Sequence, residues 1–126
     1  GSETRGGGLF SGASPGPDLF SSIFANNSGS AGVSGPDIYG PVHSLDYNLI
    51  EDPNDYTMTG TTTQNIAGYD PLLGGLQSNG GHTQTHSLHK DSRAIDKGSC
   101  DTSTADQRGM PRPMDVDGVA NADDQR

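Results

Sequence analysis

Four histidines and a cluster of carboxylates are the residues of this sequence whose types and spacing could do chemistry. His82 and His86 stand four positions apart, and on a helix this spacing would place both on one face, as in zinc sites. Two glycines before them and the alternation of Thr83–Leu88 predict an extended strand instead. On a strand the two side chains would lie about 13 Å apart, too far to bind one metal ion. We therefore interpret the histidines, including His43 and His89, as surface or turn residues.

Carboxylates near the end of the sequence give the candidate cation site, which consists of Asp115, Asp117 and Asp123. Calcium takes six to eight oxygen ligands, and a flexible acidic loop with glycine can supply them. Gly118 is the fourth residue counted from Asp115, so the spacing does not match an EF-hand loop. We keep calcium as a candidate cofactor, and the alternative is that this stretch is a solvated acidic tail.

The sequence contains no catalytic motif. Glu3 and Glu51 are its only glutamates, tryptophan is absent, and no carboxylate pair accompanies aromatic residues in the pattern of a glycosidase. A Gly-x-Ser-x-Gly nucleophile elbow is also absent. We therefore expect a protein that is not an enzyme.

Composition excludes several classes of partner. The chain has 126 residues and a formal net charge of −9, so clustered basic surfaces for nucleic acid or anionic membranes are not expected. No apolar run is long enough for a transmembrane helix, and no signal peptide is visible. Leu, Ile, Val and Phe make up only 20 residues, so a disordered acidic linker is an alternative. Cys100 is the single cysteine, which suggests a disulfide partner outside this chain.

Short apolar clusters separated by Gly, Pro, Asn and Asp predict an all-β protein. The clusters centre near residues 9, 22, 38, 48 and 72, and helical periodicity is absent. Their irregular spacing favours a right-handed parallel β-helix with long irregular loops, since each turn of such a solenoid (a rung) tolerates loops of variable length. A β-sandwich is the alternative. The predicted strands include Leu19–Ala25, Asp37–Gly40 and Leu45–Ile50, whereas 57–66 is a poor edge strand or a loop.

Asparagines and glycines mark the predicted turns. Asn26-Asn27 can adopt a left-handed turn, and asparagines stacked at the corner of a solenoid can form a hydrogen-bonded ladder. Asn79-Gly80-Gly81 supplies positive φ angles for a tight turn. Asp106 and Arg108 can pair with each other or bond to exposed backbone at the end of a sheet.

Four blocks between residues 70 and 113 resemble the C-terminal region of the choice-of-anchor Q domain proteins, a family of bacterial surface or secreted proteins. The family pattern resembles Asp-Pro-Leu-Leu-Gly-Pro-Leu, Asn-Gly-Gly-x-Thr-x-Thr-His-Ala-Leu, Gly-Ser-Pro-Ala-Ile-Asp-x-Gly and Asp-Gln-Arg-Gly-x-x-Arg-Pro. The corresponding blocks here are Asp70–Leu76, Asn79–Leu88, Asp91–Gly98 and Asp106–Pro113. Gly75, Ser87 and the tripeptide Asp91-Ser92-Arg93 depart from that pattern.

The resemblance implies a right-handed parallel β-helix in three parts: rungs with Gly/Ser-rich loops in 1–69, a closing region in 70–113 and an acidic tail in 114–126. It implies structural roles for eight residues. These are Asp70, Pro71, Asn79, Gly80, Gly81, Asp96, Asp106 and Arg108. The family continues with a final strand that carries a cysteine, which would be a natural mate for Cys100. We therefore expect a piece of a longer β-helix, cut or processed on both sides.

From this resemblance we expect a structural or adhesive module that is secreted or lies at the cell surface. Its expected partners are further copies of itself or neighbouring rungs, as in a surface filament or matrix. The alternative is a β-helix that binds or cleaves a cell-surface polysaccharide.

Overall fold

The chain forms two compact units, Gly1–Asp70 and Pro71–Arg126. The computed structural model describes residues 5–28, 32, 34–100 and 102–122. These residues form no helix, and therefore none that could cross a membrane. Seven strands lie in the first unit. They are β1 (Leu9–Phe10), β2 (Asp18–Leu19), β3 (Ile23–Phe24), β4 (Ile38–Leu45), β5 (Leu49–Ile50), β6 (Tyr56–Thr61) and β7 (Ile66–Ala67).

The strands of the first unit build two small sheets in which every pair of strands is parallel. In the first sheet, β4 pairs with β1 and β2 on one side and with β6 on the other. In the second sheet, β5 lies between β3 and β7. The chain therefore passes three times through the same two sheets. We call these passes the first level (β1, β2, β3), the second level (β4, β5) and the third level (β6, β7). The all-β prediction is confirmed.

A small core lies beneath β4, because alternate residues of this strand point inward. Ile38 and Val42 are at most 1% exposed, and they pack with Leu19 and Ile50. Leu9, Phe24, Tyr56 and Met58 cover this cluster from its sides. Burial of these few apolar side chains is the main favourable contribution to the stability of the unit.

Three predicted strands have the wrong boundaries. Leu45–Ile50, predicted as one strand, is divided between the end of β4 and β5, because Asp46 and Tyr47 turn the chain with φ angles of 85° and 61°. The segment predicted as one strand, Leu19–Ala25, is split into β2 and β3 because Ser21 turns the chain with a φ of 45°. Conversely, β4 runs on through Pro41, a residue that normally ends a strand in the middle of a sheet. Pro41 is tolerated because successive residues of a parallel strand direct their backbone N–H and C=O groups alternately to the strand on one side and to the strand on the other. Gly40 donates to Asp55 of the third level and His43 donates to Pro17 of the first. Pro41 therefore faces residues 11–17, where the first level leaves the ladder.

Asn48 is the polar centre of the first unit. It is 1% exposed, and its Oδ1 accepts a hydrogen bond from the Ser22 backbone N–H at 3.2 Å. Its Nδ2 donates to the Leu19 carbonyl at 3.1 Å, and its own N–H donates to Asn65 Oδ1 at 2.8 Å. One residue thus connects all three levels at the corner between the sheets. The hydrogen-bonded asparagines are Asn48 and Asn65, whereas the ladder was predicted at the corner of Asn26-Asn27.

The Asn26-Asn27 pair forms the predicted turn at a different corner. Asn26 has a φ of 57°, which confirms the left-handed conformation. Asn27 donates from its side chain to Asp37 Oδ1 at 2.9 Å, and the Asp52 N–H donates to Asp37 Oδ2 at 2.8 Å. Asp37 is 2% exposed, so its buried carboxylate is accommodated by these N–H donors.

The pKa of Tyr56 is raised above its ordinary value of 10.0, first because the phenol is partly buried and second because the Asp52 carboxylate repels the phenolate. The folded state therefore favours the neutral phenol. Its contribution to stability is complete below pH 10.0 and is lost as the pH rises through the raised pKa of Tyr56. We expect Asp52→Asn to lower the pKa of Tyr56 part of the way back. The absorbance at 295 nm, taken as parent minus Tyr56→Phe, measures this pKa. An unchanged value would contradict the role of Asp52.

The second unit has no extended strand among its described residues and is held by isolated antiparallel bridges. Leu73 bridges Leu88, and Gln77 bridges Thr85, so 72–77 and 85–89 form an irregular hairpin. Thr83–Leu88 is thus not the continuous strand that we predicted. The glycines around it supply a reversal that brings it back, antiparallel, onto the preceding segment. Only Pro71 and Ser92 are buried among the described residues of this unit.

Candidate functional site

The outward face of the first sheet collects aromatic and polar side chains from all three levels. On β4, Ile38, Val42 and Ser44 point inward, so Tyr39 and His43 project from the opposite face. These two residues are separated by Gly40, whose φ of 94° interrupts the regular extended conformation of β4. They mark an aromatic end and a polar end of this surface.

At the aromatic end, Phe10 of β1 is in register with Tyr39 of β4. Their rings are stacked, with centroids 5.8 Å apart and planes inclined by 4°. The Arg5 guanidinium lies over the Tyr39 ring, with its Cζ 5.0 Å from the centroid. Phe10 remains 56% exposed, so this stack presents a large aromatic surface to solvent.

At the polar end, one residue from each level lies at the same register position. Asp18 of β2 pairs with His43 of β4, and His43 pairs with Thr59 of β6. His43 Nδ1 lies 3.0 Å from Thr59 Oγ1, a hydrogen-bond distance. The row therefore combines an acceptor carboxylate, an imidazole and a hydroxyl, which together can bind a ligand rich in hydroxyl groups.

Sequence reasoning missed this site because its members are separated by unequal steps. From the first level to the second, the step is 29 residues at Leu9–Ile38 but 25 at Asp18–His43. From the second to the third, it shrinks to 16 at His43–Thr59. No constant period would have aligned these residues. The stacked pair of Phe10 and Tyr39 was the only available signal, since both follow glycine-rich turns and enter short strands.

The residues predicted as structural lie in the second unit or at its border, and several are engaged with one another. Asn79 donates from Nδ2 to the Thr85 carbonyl at 2.8 Å and holds the hairpin turn. Gly80 and Gly81 have φ angles of 98° and 77°, as predicted for a tight turn. A Cβ at Gly81 would collide with the backbone of Arg108, so this turn packs directly against the Asp106–Gly109 turn. Asp70 forms the border between the two units.

Two further contacts involve residues that were predicted as structural. Ser92 donates from Oγ to the Pro71 carbonyl at 2.5 Å, which joins the first family-like block to the third. Asp96, at a φ of 56°, accepts a hydrogen bond from the Val116 N–H at 3.0 Å. From Pro71 onward, the four blocks identified in the sequence thus lie together in the second unit.

Asp106 and Arg108 pair as predicted. Arg108 Nε donates to Asp106 Oδ2 at 2.8 Å, and its Nη2 approaches the same oxygen to 2.6 Å. The side-chain hydrogen bond from Arg108 is the main cause that lowers the pKa of Asp106, and the backbone N–H groups of Met110 and Arg108 add to it. The pair closes a turn at the protein surface.

A groove of about 430 Å³ lies beside this turn in the second unit. It is lined by acidic and basic side chains and by the free thiol of Cys100, which is half-buried. Among its lining residues are Asp96, Asp106, Arg108, Arg112 and Asp115. Asp117 lies in the following turn, and Asp123 is outside the described residues. The described part of the chain holds no cluster of three His, Cys, Asp or Glu side chains suited to a metal ion. Calcium at Asp115, Asp117 and Asp123 stays a prediction.

His86 and His89 of the second unit contact different partners. His86 Nδ1 is 2.7 Å from the Gly74 carbonyl and braces the hairpin. His89 lies 3.4 Å from the exposed carboxylate of Asp91.

Comparison with known proteins finds no matching family model, no matching curated protein and no matching solved structure. The resemblance to the choice-of-anchor Q domain proteins therefore stays a prediction. Function is argued below from the geometry of this chain.

Proposed function

We propose that this chain is a structural and adhesive module of the right-handed parallel β-helix class, secreted or displayed at the cell surface, that stacks on further copies of itself in a filament or matrix. The proposal is supported by the two parallel sheets, which the chain enters three times in the same order. Parallel connections of this kind are right-handed in nearly all proteins. The corner formed by Asn48 and Asn65 adds polar stacking between levels.

The observation that carries this proposal is the edge formed by β6. Among the described residues no strand pairs with its outer side. Its sequence, Tyr-Thr-Met-Thr-Gly-Thr, contains no charged residue and no proline. Natural edge strands usually carry such residues because unpaired N–H and C=O groups otherwise recruit another strand. An uncharged six-residue edge therefore favours association by strand addition.

Sedimentation velocity over a range of concentrations, together with negative-stain microscopy, tests the association. We expect oligomers or filaments for the parent chain. Thr57→Lys places a charge on the outer face of β6 and should raise the concentration needed for association at least tenfold. Thr104→Lys, at an exposed position in the second unit, is the matched control and should behave as the parent does. A parent chain that stays monomeric at all concentrations would refute the proposal.

Carbohydrate binding is the second candidate function, and the outward face of the first sheet favours it. The stacked Phe10 and Tyr39 rings offer an apolar surface for sugar C–H groups. The row of Asp18, His43 and Thr59 offers hydrogen-bonding groups at the other end of β4, and a ligand with several hydroxyl groups can use both ends. A cell-surface polysaccharide is the corresponding ligand.

A glycan microarray followed by affinity electrophoresis tests this second candidate. We expect Tyr39→Ala to weaken binding to any recognised glycan at least tenfold, because it removes the centre of the aromatic stack. Tyr69→Ala removes an exposed tyrosine outside this face and should leave binding unchanged. Binding that is equal in both variants would contradict the assignment of this face.

A further inference from the structure

The second sheet is well buried only at its middle level. Leu49 and Ile50 of β5 have a neighbouring strand on each side and are 3% and 1% exposed. Ile23 of β3 has one neighbouring strand and is 42% exposed. Ala67 of β7 is likewise exposed at the other end. Each column of side chains is therefore apolar from end to end, and each has one exposed end, Ile23 in one column and Ala67 in the other, whereas Phe24 and Ile66 are half-buried.

The two ends of these columns are complementary in size and charge. Extending the register by one level would bring Ile66 against Ile23 and the small Ala67 against the large Phe24. In the first sheet, the same extension would bring the Thr59 hydroxyl against the Asp18 carboxylate. No like charges would meet at these positions, which matters for a chain of net charge −9.

We propose that the third level of one copy pairs in parallel with the first level of a second copy, in the register Ile66–Ile23, Ala67–Phe24 and Thr59–Asp18. This inference rests on the proposed function and specifies the interface (the joint) between two copies of the chain. The added strands would give β3 and β7 the two-sided burial that β5 already has. A joint that repeats the internal step is open-ended, so it generates a filament.

A two-fold joint between two third levels is the competing arrangement. It would pair β6 with β6 in antiparallel orientation and β7 with β7 of the second copy. The small Ala67 of both copies would then lie at the joint, and the exposed Ile23 at the far end would remain uncovered in both copies. The head-to-tail joint covers more apolar surface, and we therefore favour it.

Cysteine cross-linking distinguishes the two joints. Asp18→Cys and Thr59→Cys are made singly and together in a Cys100→Ser background, and both positions are exposed on the outer face. Within one chain the two positions flank His43, so they are two strand spacings or about 9.6 Å apart and cannot form a disulfide. Across the proposed joint they are adjacent, at a strand spacing that a disulfide can bridge.

After mild oxidation we expect the double variant to form a ladder of covalent dimers, trimers and longer species. A mixture of the two single variants should form dimers, whereas each single variant alone should form none. Thr59→Cys combined with Asn54→Cys, an exposed loop position, is the control and should not cross-link above background. Cross-linking of Thr59→Cys with itself would establish the two-fold joint and overturn the proposed register. Association in sedimentation without either cross-link would also overturn this register but leave the proposed function standing, while a monomeric chain would overturn both.

Discussion

Gly40→Ala is expected to unfold the first unit or to destabilise it by roughly 3–5 kcal/mol. Gly40 lies within β4 at a φ of 94°, a conformation that is strained for alanine. A Cβ at this position would also lie well inside 3.0 Å of the Ser11 carbonyl oxygen. Both causes act together, because β4 is held between the first and third levels and cannot shift away.

Urea denaturation followed by tyrosine fluorescence measures this effect. All four tyrosines of the chain lie in the first unit, so the signal reports on that unit alone. Gly68→Ala is the matched control, because Gly68 lies in the same unit at a φ of 79° and a Cβ there meets only Pro53 Cγ, at 4.0 Å. We expect the control to lose only the cost of the left-handed conformation, roughly 1–2 kcal/mol. If both variants were equally stable, the close approach of Ser11 to β4 would be wrong.

The all-β character of the protein was predictable from its sequence because it depends on local signals. Short apolar clusters bounded by Gly, Asn and Pro predict strands and turns, and the left-handed Asn26 follows from the same rule. Strand boundaries were less predictable. Pro41 normally argues against a central strand, and it fits here only because residues 11–17 leave the ladder beside it. That accommodation depends on a contact between segments distant in sequence.

The outward face of the first sheet was not predictable for a related reason. Asp18, His43 and Thr59 become neighbours only through the register of three strands, and the loops between those strands differ in length. In contrast, the contact of Gly81 with Arg108 joins two blocks that the family pattern had already singled out. The blocks of the motif contact one another in the second unit, but the motif did not predict their antiparallel pairing.

For buried polar groups too, the sequence indicates the type of residue, but the register of the strands decides which residue is buried. The sequence prediction placed an asparagine ladder at the corner of Asn26-Asn27, whereas the hydrogen-bonded asparagines are Asn48 and Asn65. The connection from β4 to β5 turns at Asp46 and Tyr47, which have φ angles of 85° and 61°. Asn48 follows directly and is drawn inside, where its amide replaces backbone partners that the turn cannot supply.

Asn48→Ala is expected to destabilise the first unit by about 2–4 kcal/mol. The truncation leaves the Ser22 N–H and the Leu19 carbonyl without the amide that satisfies them. It also opens a space next to Ile50 and Ser44, in a core too small to compensate by repacking. The loss should appear as a lower urea midpoint by tyrosine fluorescence.

Asn54→Ala is the control for this loss. Asn54 lies in the same unit, but it is exposed, and its side chain donates only to Asp52. We expect it to change the free energy of unfolding by less than about 0.5 kcal/mol. Asn48→Asp separates the two halves of the network, because it keeps an acceptor for Ser22 and removes the donor to Leu19. It should be at least as destabilising as alanine, since it also buries a charge among partners that have no cation. A stable Asn48→Asp variant would mean that solvent reaches this corner, and the levels would then be joined by their strands alone.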